Sequence, residues 1–204
     1  MVARTPAPGT RDRILTTATR LFYSHGVRAV GMNQVISEAG TGKNLLYSHF
    51  PTKTDLVAAY LERAREIRSA RARRAREAAA DDPRAQLLAL LEEVATTTAR
   101  PDFRGCAFRN YLAEFPDDTD FGDTDDTRTT PAGVARDVLD ATHRDLAGLV
   151  AALGVADPDR LTEELWLIVD GLYLQAAYRD RFDAHLAGGA AVDLARRLVD
   201  ERAS

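Results

Sequence analysis

Apolar residues recur at helical spacing through nearly every segment of the chain, which predicts an all-α fold. The first stripe is Ile14, Leu15, Ala18, Leu21 and Phe22, with Thr10 as N-cap and Gly26 closing the element. A second, shorter stripe is Met32, Val35, Ile36 and Ala39; Gly40 stops it as a left-handed residue, and Thr41-Gly42 completes a turn. In the next helix Leu46 and Phe50 face inward and leave Lys43, Asn44, Tyr47 and Ser48 on other faces, before Pro51 ends it. Thr52 with Asp55 three residues on resembles a capping box that opens a long following helix.

Three short helices on one core, the last two joined by a glycine turn, form the shape that lays one helix into the DNA major groove. Lys43 supports this use. A cation is disfavoured in the first turn of a helix, so it calls for an external anion, and a phosphate is the simplest.

Arg13-Ile14-Leu15, Ala18, Leu21-Phe22, Gly26, Ile36, Ala39-Gly40, Lys43, Leu46-Tyr47, His49-Phe50 and Lys53-Asp55-Leu56 together resemble the TetR family of transcriptional regulators. The resemblance covers about the first third of the chain. It implies an N-terminal three-helix helix-turn-helix DNA-binding domain (1–56) and a C-terminal helical ligand-binding and dimerisation domain (57–204). Thr41, Lys43, Asn44, Leu45, Tyr47, Ser48, His49 and Lys53 are then the DNA-contacting set. Gly31 stands where the family usually has Thr or Ser, a change that costs only a few tenths of a kcal/mol at an N-cap. Neither Gly31 nor Gly42 has a side chain to touch a phosphate. Asn44 and Leu45 replace small residues and imply a distinctive operator, since Asn bonds adenine in bidentate fashion and Leu45 suits a thymine methyl.

Beyond Leu56 the helical reading continues. A helix over 53–79 carries Arg63, Arg65, Arg68, Arg71, Arg73, Arg74 and Arg76, read as a solvated face paired with acids in preference to a second nucleic-acid surface. Asp82-Pro83 opens another helix with Leu87, Leu88, Leu90, Leu91 and Val94, and Pro131 starts one that runs to Leu153. Asp157-Pro158 is a strong start, an N-cap followed by proline at the first position. From Leu165 to Tyr178 the helix is apolar nearly all round and needs cover on several sides. The last helix, from Leu186 to Arg202, offers Ala187, Ala190, Ala191, Leu194, Ala195 and Leu198 for close approach of another helix. By the resemblance, these last two helices pair two chains as a four-helix bundle, which sets two recognition helices on the half-sites of an inverted repeat in double-stranded DNA.

The resemblance further implies a small-molecule effector. Arg104-Gly105-Cys106-Ala107-Phe108, Ala113-Glu114-Phe115-Pro116 and Asp170-Gly171 resemble one C-terminal subgroup of the family. Candidate pocket walls are Phe103, Phe108, Tyr111, Phe115, Trp166, Tyr173 and Tyr178, with ordinary core packing as the alternative for each. Glu114 and Asp170 sit among apolar neighbours and need partners: a cationic ligand, or internally Arg104 or a helix N-terminus, the internal partner being preferred for Asp170. Cys106 reads as a packing residue before it reads as a redox thiol.

Charge separates the two parts. Residues 1 to 60 hold Arg4, Arg11, Arg13, Arg20, Arg28, Lys43 and Lys53 against Asp12, Glu38 and Asp55, while the whole chain carries −4. Basic charge is thus concentrated where phosphates would be met. The Asp- and Thr-rich segment from Pro116 to Thr130 reads as a mobile acidic loop, because its oxygen spacing fails for calcium. Four histidines (His25, His49, His143 and His185) lack metal-ligand spacing. No catalytic grouping, cofactor or metal is expected, and the chain is not read as an enzyme. No apolar run spans a membrane, no apolar signal segment opens the chain, and one cysteine excludes a disulfide framework. A cytoplasmic location follows as the expectation.

Overall fold

A computed structural model describes residues 9–116, 130–175 and 183–202. The acidic-loop reading over 117–129 and the assignment of Tyr178 to a pocket wall lie outside these residues. Among the described residues the chain is all-α, with no strand and nine helices. These are α1 Thr10–His25, α2 Met32–Glu38, α3 Lys43–His49, α4 Lys53–Glu77, α5 Pro83–Ala99, α6 Ala107–Glu114, α7 Pro131–Ala152, α8 Pro158–Leu174 and α9 Ala184–Arg202. They form two compact units that interleave in sequence. One comprises Met1–Arg65 with Ala107–Asp137, the other Glu66–Cys106 with Val138–Ser204. The first unit thus holds α1, α2, α3 and the start of α4 together with α6 and the start of α7.

In the first unit, Ile14, Ala18, Leu21 and Phe22 of α1 are buried together with Val35 of α2, Leu46 of α3 and Leu56, Val57, Tyr60 and Leu61 of α4. Each of the Val, Leu, Ile and Phe side chains among them contributes about 1.5–3 kcal/mol on full burial. Phe22 and Tyr60 meet with ring centroids 5.7 Å apart. Thr10 does not cap α1. It lies inside the first turn and is buried, and Gly9 takes the N-cap position without a side-chain cap bond. The start of α4 follows the sequence: the Thr52 N–H and hydroxyl both donate to Asp55 Oδ2, at 2.9 and 2.7 Å, and the Asp55 N–H donates back to Thr52 Oγ1 at 3.1 Å.

In the second unit α5, α8 and α9 pack on one another. Asp82 and Asp157 cap α5 and α8 by accepting the N–H of Arg84 at 2.9 Å and of Arg160 at 3.2 Å, each with proline in the first turn. Gly188 brings α9 against α5, since a Cβ there would stand 3.1 Å from the Ala95 Cβ. Part of the small-residue face of α9 is thus used inside the chain, through Gly188, Val192, Ala195 and Val199. Arg84–Asp200 and Arg202–Glu164, both at 2.6 Å, fasten the same packing at its rim. On α8, Leu161, Leu165, Val169 and Leu172 are buried, while Leu167 and Leu174 stay exposed.

Candidate functional site

The helix pair takes its shape from a few buried anchors. Gly40 adopts φ 57° and reverses the chain after α2, the conformation that glycine tolerates best. Leu46 and Phe50, both almost fully buried, pin α3 from beneath. Their spacing leaves Lys43, Asn44, Tyr47 and Ser48 exposed and Thr41, Leu45 and His49 half-buried. The Lys43 ammonium stands 6.0 Å from the centre of the Tyr47 ring. Ser48 donates its hydroxyl to the Leu45 carbonyl at 2.8 Å. Thr41 Oγ1 and His49 Nε2 are buried atoms without a hydrogen-bond partner among the described residues. Such atoms cost about 1–3 kcal/mol each. Arg11 lies over the Phe50 ring at 4.9 Å.

Behind this face, α6 closes on the loop between α1 and α2. Glu114 Oε1 accepts the N–H of Val27 at 3.2 Å, and Oε2 accepts the N–H of Arg28 at 2.8 Å. The Arg28 side chain returns the contact, donating Nη2 to the Glu114 carbonyl at 2.6 Å and lying over the Phe115 ring at 4.7 Å. Gly26, at φ 83°, makes room for this: a Cβ there would stand 2.8 Å from Glu114 Oε1. Burial pushes the Lys53 ammonium below its ordinary pKa, and the charge of Glu114 opposes that shift. The partners of the candidate residue Glu114 are thus two backbone amides, in place of Arg104 or a helix N-terminus.

The remaining pocket candidates divide between the units. Phe108, Tyr111 and Phe115 are buried in the first, Tyr111 and Phe115 stacked at 4.9 Å. Phe103 and Tyr173 meet in the second at 6.0 Å, where Cys106 is also buried and Asp170 is half-buried. Trp166 lies edge-on to His143 at 5.2 Å, and His143 Nε2 is 2.8 Å from Glu163 Oε1.

Trp166 lines a cavity bounded by four helices of the second unit. Arg68, Ala72 and Arg76 of α4 form one wall, and Leu90, Leu91, Glu93 and Val94 of α5 a second. Thr142, Asp145 and Leu146 of α7 and Trp166 and Val169 of α8 complete it. The cavity proper measures about 60 Å³, and the atom-free space including its mouth about 600 Å³. Sequence reasoning missed Arg68 and Arg76 as lining because the arginine run was read as one solvated face. The available signal was their i, i+4, i+8 spacing with Ala72 between them, which puts all three on one stripe. Three others of the run pair with acids, Arg63 with Asp12, Arg65 with Glu62 and Arg73 with Glu77, while Arg71 donates to Thr97 Oγ1.

Among the described residues no group of three His, Cys, Asp or Glu is placed to hold a metal ion, and no helix is long and apolar enough to cross a membrane.

Residues 14–60 match the family model of bacterial regulatory proteins, tetR family. The HTH-type transcriptional regulator LmrA of Bacillus subtilis is 46% identical over 48 residues, 24% of this chain and 26% of that protein. The HTH-type transcriptional activator FasR of Mycolicibacterium smegmatis is 37% identical over 60 residues, 29% of this chain and 27% of that one. The chain thus spans about a quarter of the length of the curated relatives it matches. Over nearly its full length it superposes on the crystal structure of SCO4454, a TetR-family transcriptional regulator from Streptomyces coelicolor. The TM-score is 0.85 at 27% identity, covering 98% of this chain and 93% of that one.

Proposed function

We propose that the chain is a sequence-specific DNA-binding repressor of the tetR family, released by a small molecule, a reading supported by the family-model match over residues 14–60 and the superposition on SCO4454. The observation that carries this reading is the exposed polar face of α3, with Lys43, Asn44, Tyr47 and Ser48 held outward by the burial of Leu46 and Phe50. Lys43 then meets a phosphate, and Asn44 and Leu45 read base edges. Residues 1–56 carry these contacts and 57–204 carry pairing and ligand binding, in the cytoplasm. A relative named as an activator makes the sign of regulation a matter for a reporter assay.

Two copies pair through α8 and α9. Leu167 and Leu174 on α8 and Leu186 and Leu194 on α9 are large apolar side chains left exposed, the kind of surface that marks a protein contact. Pairing sets the two recognition helices about 34 Å apart, one turn of the duplex. The effector enters the cavity between α4, α5, α7 and α8. At about 60 Å³ this space is far below the roughly 300–1,000 Å³ of sites for drug-sized ligands. An effector must therefore part the walls, and a ligand that fits only the opened form favours that form by mass action.

Selection of bound duplexes from a random pool tests the reading. An inverted repeat is expected, with affinity falling steeply as salt rises because phosphate neutralisation releases counterions. Light scattering should give twice the chain mass of 22.3 kDa. Absence of salt-dependent affinity for any duplex overturns the regulator, and a monomer bound to DNA overturns the pairing.

A further inference from the structure

Arg68 is a half-buried cation whose hydrogen bonds go to neutral oxygens. Its Nη1 donates to Thr142 Oγ1 at 2.5 Å, and that hydroxyl donates onward to the Val138 carbonyl at 2.6 Å. The guanidinium also bonds the buried phenol of Tyr173. Among the described residues no carboxylate lies within ion-pair distance of it. A partly desolvated cation at a cavity wall favours a counter-charge beside it.

The two acids of the cavity do not supply one. Glu93 accepts the Thr97 hydroxyl at 2.8 Å, and Thr97 in turn accepts Arg71 Nη1 at 3.3 Å, so the hydrogen bonds of Glu93 run toward Arg71, while its charge also acts on the Tyr173 phenol that Arg68 bonds. Asp145 is exposed at the rim and solvated. Arg76, half-buried two turns along α4, adds a second cation, and Ala72 between them leaves the space open. The remaining walls are apolar or aromatic: Leu90, Leu91, Val94, Leu146, Trp166 and Val169.

We propose that this cavity takes an apolar organic acid, its carboxylate on the Arg68 guanidinium and its hydrocarbon or aryl body against the leucines and Trp166. The planar fork of arginine matches a carboxylate with two parallel N–H bonds. A primary amide of the same shape offers one acceptor and no charge, and an amine meets Arg68 with repulsion. The proposal rests on the reading of this cavity as the effector site, and it adds the chemical class.

Trp166 is the sole tryptophan of the chain, so its fluorescence reports occupancy without DNA. The experiment titrates the full chain with matched sets of alkyl and arylalkyl acids, their primary amides and their amines, phenylbutyrate, its amide and phenylbutylamine being one set. Within a set the acid is expected to bind at least about tenfold more tightly than the amide. Arg68→Gln should abolish that preference, and Arg68→Lys, which keeps the charge and guards against a folding artefact, should retain part of it. Equal affinity of acid and amide overturns the proposal. So does preference for the amine, a preference that survives Arg68→Gln, or no response to any member. Operator binding is measured separately. DNA affinity without acid preference sinks only this inference, and acid preference without DNA affinity sinks only the regulator.

Discussion

Glu114 Oε2 accepts the N–H of Arg28 at 2.8 Å across 86 residues of sequence. With the Val27 N–H on the other oxygen, the carboxylate satisfies two consecutive amides of the loop that leads from α1 into the helix-turn-helix pair. Loop amides without an acceptor inside a unit are costly. Their acceptor here comes from α6, so the pose of that loop depends on where α6 sits.

Replacing Glu114 by Ala removes both acceptors. The expected loss of stability is about 1–3 kcal/mol, the net contribution of hydrogen bonds to a charged acceptor, with the larger share from the part-buried Val27 amide and the smaller from the exposed Arg28 amide. Glu114→Gln, which keeps one acceptor oxygen, should lose less. Thermal melting together with amide hydrogen exchange at Val27 and Arg28 checks this. Unchanged exchange at both amides in the Ala variant would show that the contact holds nothing.

Gly26 combines φ 83° and ψ 154° with contact to Glu114. This backbone region is essentially restricted to glycine and costs other residues about 1–3 kcal/mol. Gly26→Ala should therefore destabilise by at least that amount, with the steric part added. In a Glu114→Ala background the steric part disappears and the backbone part stays, so a double-mutant cycle should show coupling between the sites. Additive losses would mean that the two residues do not meet.

Lys43→Ala and Asn44→Ala should separate affinity from specificity. The first is expected to weaken binding to all duplexes alike and to reduce the salt slope by about one, and the second to cost about 1–3 kcal/mol on the selected repeat and relax preference at one position. Gel-shift titrations over several salt concentrations and a panel of single-base variants read both effects.

Asp183 caps α9 by accepting the N–H of His185 at 2.9 Å and of Leu186 at 3.1 Å. The Leu186 amide, then the His185 amide, hold its carboxyl below the ordinary value of 3.8. A depressed carboxylate contributes stability in full above the unfolded value, and that contribution is lost as pH falls through the lower folded value. Asparagine caps without titrating. Melting of Asp183→Asn should thus show a shallower decline than the parent below about pH 3.8, and curves that stay parallel throughout would remove Asp183 from the acid response.

Local signals were the legible ones. Asp82-Pro83, Asp157-Pro158 and the Thr52–Asp55 box marked helix starts because each bonds within three residues of itself. Gly40 marked the turn for the same reason. What escaped reading depends on partners distant in sequence. Glu114 was recognised as a carboxylate in need of a partner, yet nothing near it pointed to Val27 and Arg28. Arg68 sat in a run of seven arginines, and only the placement of Thr142 and Tyr173 separates it from its solvated neighbours. The exposed face of α3 lay between these cases, since Leu46 and Phe50 fix it from within the motif.

The interleaving of the first unit bears on how the protein is made. At synthesis rates of about 5–20 residues per second, the 86 residues between Arg28 and Glu114 take roughly 4–17 s to add. Through most of that interval α1, α2 and α3 of the nascent chain are already polymerised while the acceptor for the Val27 and Arg28 amides is not. A polypeptide expressed from only the first third of the reading frame stays in that unfinished condition, with a glycine held at φ 83° facing a carboxylate that never arrives.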